Sequence, residues 1–155
     1  LLIIFLLFGL LGILQTSFLV HFNIMGFTPS LIFILYFLVV FFEEPQKYIQ
    51  GIFSAITAGF FLDVFSLSYF GVSIISLLIM TLGIKYIIFS LKKTRNKYPI
   101  AYFTPLFILF FIIHSLLLTN VIHFWIFLIE IIYNLVFAFF GFYIYKKFKL
   151  YEFSK

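Results

Sequence analysis

Two acidic residues of this chain sit where acids are costly. Asp63 closes the apolar stretch "GIFSAITAGFFLDVFS", Gly51 to Ser66, and Glu130 lies inside a second one between His123 and Gly141. With the three histidines, His21, His114 and His123, they could bind a metal, relay protons or line a substrate pocket. The spacing does not favour a metal: no histidine pair sits at i, i+3 or i+4 on one helix, as a preorganised ligand pair would. There is no Gly-rich phosphate loop, no G-x-S-x-G and no H-E-x-x-H. Asp63 and Glu130 could meet loosely across two helices, but nothing marks them as a catalytic dyad. The expectation is no enzyme, no cofactor and no metal.

The elements that carry these residues are set by composition. Of the 155 residues, 65% are hydrophobic and 10% are charged, and the mean hydropathy is +1.26. A soluble domain is about 45–50% apolar and about 25% charged, so the solvent here is mostly lipid. Cysteine is absent, which excludes disulfides and thiolate ligands. The 27 phenylalanines suit lipid contact as leucine does and are given little functional weight. A spanning helix needs roughly 20 apolar residues. The sequence predicts six, over about 1–20, 29–42, 48–65, 70–91, 100–119 and 123–145. The second is short, with room to start near Ile24 or to run past Glu43. The fold expected is all-α and polytopic, one transmembrane domain over 1–155 with both termini cytoplasmic. Leu1 stands where a Met would, so a short preceding piece is expected. No A-x-A-like site follows the first apolar run, which argues for a spanning helix over a cleaved leader.

All ten basic residues fall on one side of that topology. Lys47 lies between helices two and three. Lys85, Lys92, Lys93, Arg95 and Lys97 are assigned to the end of helix four or beyond, and Lys146, Lys147, Lys149 and Lys155 follow helix six. The three connections on the other side carry none, so the basic side is read as cytoplasmic. The net charge of +5 then reflects topology and lipid contact, not nucleic acid.

Helix three carries Gly51, Ala55, Gly59 and Asp63 four apart, which is one helix face. Small residues let a neighbouring backbone approach closely, so this face is expected inside the bundle or against a partner. Asp63, near the outer interface, is expected to fix the turn into helix four by meeting free amides near Phe70 and Gly71, with Ser66 and Ser68 at hand. A second stripe on helix six runs from His123 through Glu130 and Asn134 to Ala138 and Gly141. Glu130 is expected to be neutral and bonded to Asn134 or to another helix, the alternative being an ion or proton path. Gln15 and Thr16 offer interhelical hydrogen bonds, and the histidines are expected at the outer interface.

Two longer stretches, Leu14 to Phe42 and Gly51 to Leu78, resemble the rod shape-determining protein MreD family of bacterial inner membranes. The residues that carry the resemblance are Gln15, Thr16, Ser17, Pro29, Gly51, Gly59, Leu62, Asp63 and Gly71. The C-terminal Ile132 to Phe148 also fits, with Asn134 at a position that is often polar in the family. One departure is Ser30, where many members carry Asp. The resemblance implies a non-enzymatic scaffold of the cell-elongation, peptidoglycan-synthesising machinery. Its partners would be the single-span protein MreC, the RodA and penicillin-binding-protein synthases and the MreB filament. Gly51, Ala55, Gly59, Asp63, Gly71, Glu130 and Asn134 would serve helix packing or partner binding. Lys92, Lys93, Arg95, Lys97, Lys146, Lys147 and Lys149 would meet lipid or cytoplasmic proteins. The family's helical arrangement resembles the substrate-binding S subunits of energy-coupling-factor vitamin transporters. The alternative is therefore an uptake subunit with an outward pocket lined by Asp63, His114, His123 and Glu130. S subunits usually carry a small-residue face on helix one; here that helix offers only Gly9 and Gly12.

Overall fold

A computed structural model describes residues 1–22, 28–44, 46–65, 70–91, 99–118 and 124–152. The chain is an all-α polytopic membrane protein. Its helices are α1 (Leu2–Ser17), α2 (Leu31–Phe42), α3 (Ile49–Phe65), α4 (Val72–Ser90), α5 (Pro99–Leu118) and α6 (Phe124–Glu152), with a short 3-10 turn at Leu19–Phe22. Among the described residues there is no strand. Four helical segments are long and apolar enough to cross a membrane: Leu2–His21, Val72–Ser90, Pro99–Leu116 and Phe127–Lys147.

Two boundaries differ from the sequence reading. The first helix tightens into the 3-10 turn after Ser17 instead of running to Val20. The last helix runs to Glu152, beyond Tyr145, and so carries Lys146, Lys147 and Lys149 on its final turns. No Gly or Pro follows Tyr145 to stop it, and lysines are favoured at the negative end of the helix dipole. Lys92, Lys93, Arg95 and Lys97 lie outside the described residues, as do Ser66, Ser68 and His123.

The short helix α2 is the core of the bundle. It has twelve residues, nine of them buried, and touches α1, α3, α4 and α6. At 1.5 Å per residue it is roughly 18 Å long, well short of a hydrocarbon core of roughly 30 Å. Helix ends at such depth are tolerated only where protein, not lipid, satisfies the free backbone groups.

Phenylalanine carries more structure than its composition suggested. Phe33, Phe37 and Phe41 recur every four residues on α2, as do Phe103, Phe107 and Phe111 on α5. Their rings interlock edge to face, with Phe37 at 5.5 Å from Phe103 and 5.3 Å from Phe107, and Phe33 at 5.5 Å from Phe111. Phe142 of α6 closes the lower end at 4.8 Å from Phe103. Tilted and edge-on pairs at these separations are the favoured aromatic geometries. By contrast α1 buries only Phe8 and Gly12. Its Gly9 and Gly12 make room for the rings of Phe61 and Phe65 on α3.

Candidate functional site: buried polar groups at the helix ends

The first four N–H groups of a helix lack intrahelical partners. In this bundle, side-chain oxygens brought by other segments satisfy them at three helices.

At α4, Asp63 accepts from the N–H of Gly71 at 2.6 Å and from that of Ser73 at 3.1 Å. Asp63 is buried in the last turn of α3. Gly71 holds φ +98°, a left-handed backbone that a side chain would strain, although among the described residues nothing lies within 4 Å of where its Cβ would stand. The carboxylate therefore fixes the α3–α4 turn, as read from the sequence. Removing it in Asp63→Ala leaves two amides without acceptors and should cost about 2 kcal/mol or more. Asp63→Asn keeps one acceptor and should cost about half as much. Unfolding in mixed detergent micelles measures both, and equal losses would contradict this role.

At α3 the same device recurs one turn earlier in the chain. Glu43, just after α2, accepts from Gln50 N–H at 2.9 Å and from Gly51 N–H at 3.0 Å. It also pairs with Lys85 of α4 at 2.6 Å, both side chains being almost wholly buried. The Lys85 ammonium donates further to the Glu44 carbonyl at 3.1 Å and stands 5.9 Å from the Tyr48 ring centre. Gly51 makes this possible: a Cβ there would come 2.7 Å from Glu43 Oε2. Lys85 therefore belongs inside α4 as a buried partner, not to the basic fringe after helix four. Sequence reasoning also missed Glu43 as a site residue. One signal could have found it: Glu43 to Gly51 and Asp63 to Gly71 are both acid-to-glycine steps of eight.

At α2, Asn134 of α6 accepts from the Ser30 N–H at 2.7 Å, and Gln15 of α1 lies 3.5 Å from the Ile32 N–H. Asn134 is ten residues along α6 from Phe124, about 15 Å, so the α2 start is recessed inside the bundle. The Asn134 amide also donates to the Glu130 backbone carbonyl at 2.9 Å. Asn134 thus meets Glu130 through the main chain, where the sequence reading paired it with the side-chain carboxyl. Thr16 turns back onto its own helix, at 2.9 Å from the Gly12 carbonyl, and among the described residues makes no interhelical bond of the kind expected.

The small-residue faces point inward. Gly51, Ser54, Ala55, Ala58 and Gly59 are buried on α3. A Cβ on Gly59 would meet Ile74 Cα at 2.5 Å, and one on Gly141 would meet Leu38 at 2.9 Å. Ile56 and Phe60 are exposed on the opposite side of α3. In the core, the Tyr36 hydroxyl donates to the Leu77 carbonyl at 2.9 Å and lies 2.9 Å from Thr81 Oγ1, tying α2 to α4. His114 is buried against Phe33, ring centres 4.7 Å apart. Apolar residues on both sides of it, from Phe111 to Leu118, carry it into the aromatic core. Among the described residues no three His, Asp or Glu side chains gather as a metal site.

In comparison with known proteins, the chain matches no family model, no curated protein and no solved structure.

Proposed function

We propose that this chain is a non-enzymatic scaffold of the bacterial cell-elongation machinery. It would sit in the inner membrane, resemble MreD, and bind a single-span partner of the MreC type beside the RodA and penicillin-binding-protein synthases and MreB. The observation that carries this reading is the use of the buried polar groups. Glu43, Lys85, Asp63, Asn134 and Tyr36 all hold helix ends or join helices. Such groups build a rigid frame; chemistry would need them turned toward a substrate. The positive-inside bias puts the α2–α3 turn and the lysine-bearing end of α6 in the cytoplasm. There Lys146 and Lys147, with the 92–97 segment, would meet anionic lipid.

The transport alternative asks Asp63, His114, His123 and Glu130 to line one pocket. Both Asp63 oxygens are engaged by amides, and His114 packs on Phe33, which weighs toward the scaffold. Gly9 and Gly12, the small residues of α1, face Phe61 and Phe65 and leave no small-residue face for a coupling subunit. The small face of α3 is likewise filled within the bundle, so the partner helix would dock elsewhere on the lateral surface. Affinity purification in mild detergent, with mass spectrometry of proteins and small molecules, tests the reading. A co-purifying MreC-like protein, and loss of rod shape when the protein is depleted, are expected. A water-soluble ligand arriving with a pair of ATPases would overturn it.

A further inference from the structure

A groove of about 900 Å³ runs along the lateral face of the bundle. Its floor is α2, with Ile34, Leu35 and Leu38; α1 and α6 form the walls. Its lining is aliphatic and aromatic until its foot, where Glu43 and Gln50 enter. There it borders a second recess of about 640 Å³ in the α2–α3 turn, which shares Leu1, Glu43 and Gln50 and adds Glu44, Gln46, Lys47 and Tyr48. The two adjacent hollows present an apolar shaft and a polar head carrying both signs of charge. Glu44 and Lys47 lie there 3.2 Å apart, both largely exposed.

We propose that the two hollows bind one glycerophospholipid whose headgroup carries a phosphate and a primary ammonium. The acyl chains lie in the groove and the headgroup occupies the recess. At about 900 Å³ the groove has the size of a small-molecule pocket, roughly 300–1,000 Å³, and its apolar lining suits acyl chains. Charge favours the zwitterion. Lys47 offers a donor for the phosphate and Glu44 an acceptor for the ammonium, while Gln46 and Gln50 add amides of both kinds. Their exposed ion pair is weak enough to be exchanged for headgroup contacts. A purely anionic headgroup offers Glu44 no cation, and a quaternary ammonium has no N–H to give it. The proposal rests on the membrane location alone and is independent of the scaffold reading.

The test is native mass spectrometry of the full chain, taken from nanodiscs that hold equal amounts of phosphatidylethanolamine, phosphatidylglycerol and phosphatidylcholine. One retained phosphatidylethanolamine is expected, favoured about tenfold over the other two. Leu35→Trp, which fills the half-buried groove floor, should abolish retention of any lipid. Lys47→Glu should keep a lipid but remove the headgroup preference. Wild-type selectivity needs no variant, so a Leu35→Trp protein that fails to fold does not shelter the proposal. A benzophenone side chain at position 35 should cross-link to phospholipid. Cross-linking to a protein chain, retention without headgroup preference in the wild type, or no retained lipid would each overturn the assignment.

Discussion

Lys85→Met is expected to destabilise the bundle by about 3–5 kcal/mol, the range seen when one member of a buried ion pair is removed. The loss comes less from the missing attraction than from what remains. Glu43 stays buried, tied to the amides of Gln50 and Gly51, with its charge no longer matched. The double variant Glu43→Gln, Lys85→Met removes both charges and leaves an amide oxygen for the start of α3. It should recover more than half of the loss, because the desolvation cost of two ions disappears with their attraction. Unfolding of the wild type, both single variants and the double variant in mixed micelles completes the cycle. A single-variant loss below about 1 kcal/mol, the range of a surface pair, would show that water reaches the site.

Gly59→Ala is the second large effect. The added methyl meets the Ile74 backbone at 2.5 and 2.6 Å, so no rotamer change can relieve it. The α3–α4 contact must open, at a cost of about 3 kcal/mol, the upper end of overpacking effects. Gly59→Leu should not fold. Gly83 on α4 provides the contrast. A Cβ there stands 3.4 Å from the Phe110 ring edge, which is close to ordinary contact. Gly83→Ala should be neutral or stabilise by up to about 1 kcal/mol through helix propensity. If Gly59→Ala and Gly83→Ala behave alike, α3 and α4 are farther apart than described here. Because of this close approach, a loss of partner binding in Gly59→Leu would report on folding before it reports on an interface.

The sequence made the membrane class, the six helices among the described residues and the inward face of α3 legible, because each rests on local patterns. Apolar runs broken by Pro, Gly and charge mark the helices, and a four-residue repeat of small residues marks a packed face. Asp63 was readable for the same reason, since its partners lie only eight and ten residues away. Lys85 was not. It sits 42 residues from Glu43, and a lone lysine near a helix end looks the same in sequence whether it snorkels to water or turns inward. The ring contacts between α2 and α5 escaped notice because phenylalanine suits lipid and core equally well. The depth of the α2 start was hidden too. It depends on Asn134 reaching Ser30 across 104 residues, and a polar residue on a helix face does not announce which backbone amide it serves. Glu43 was within reach, because its eight-residue step to Gly51 repeats the step from Asp63 to Gly71.

Buried carboxylates hold the starts of α3 and α4. Hydrogen exchange of the Gly71 and Ser73 amides, with the protein in bilayer nanodiscs, tests this most directly. Both amides should be protected in the wild type and should exchange at least about tenfold faster in Asp63→Ala, a change of about 1.4 kcal/mol or more in local opening. Amides in the middle of α4 should keep their wild-type rates. Rapid exchange of Gly71 and Ser73 in the wild type, or equal protection with and without the Asp63 carboxylate, would contradict the account.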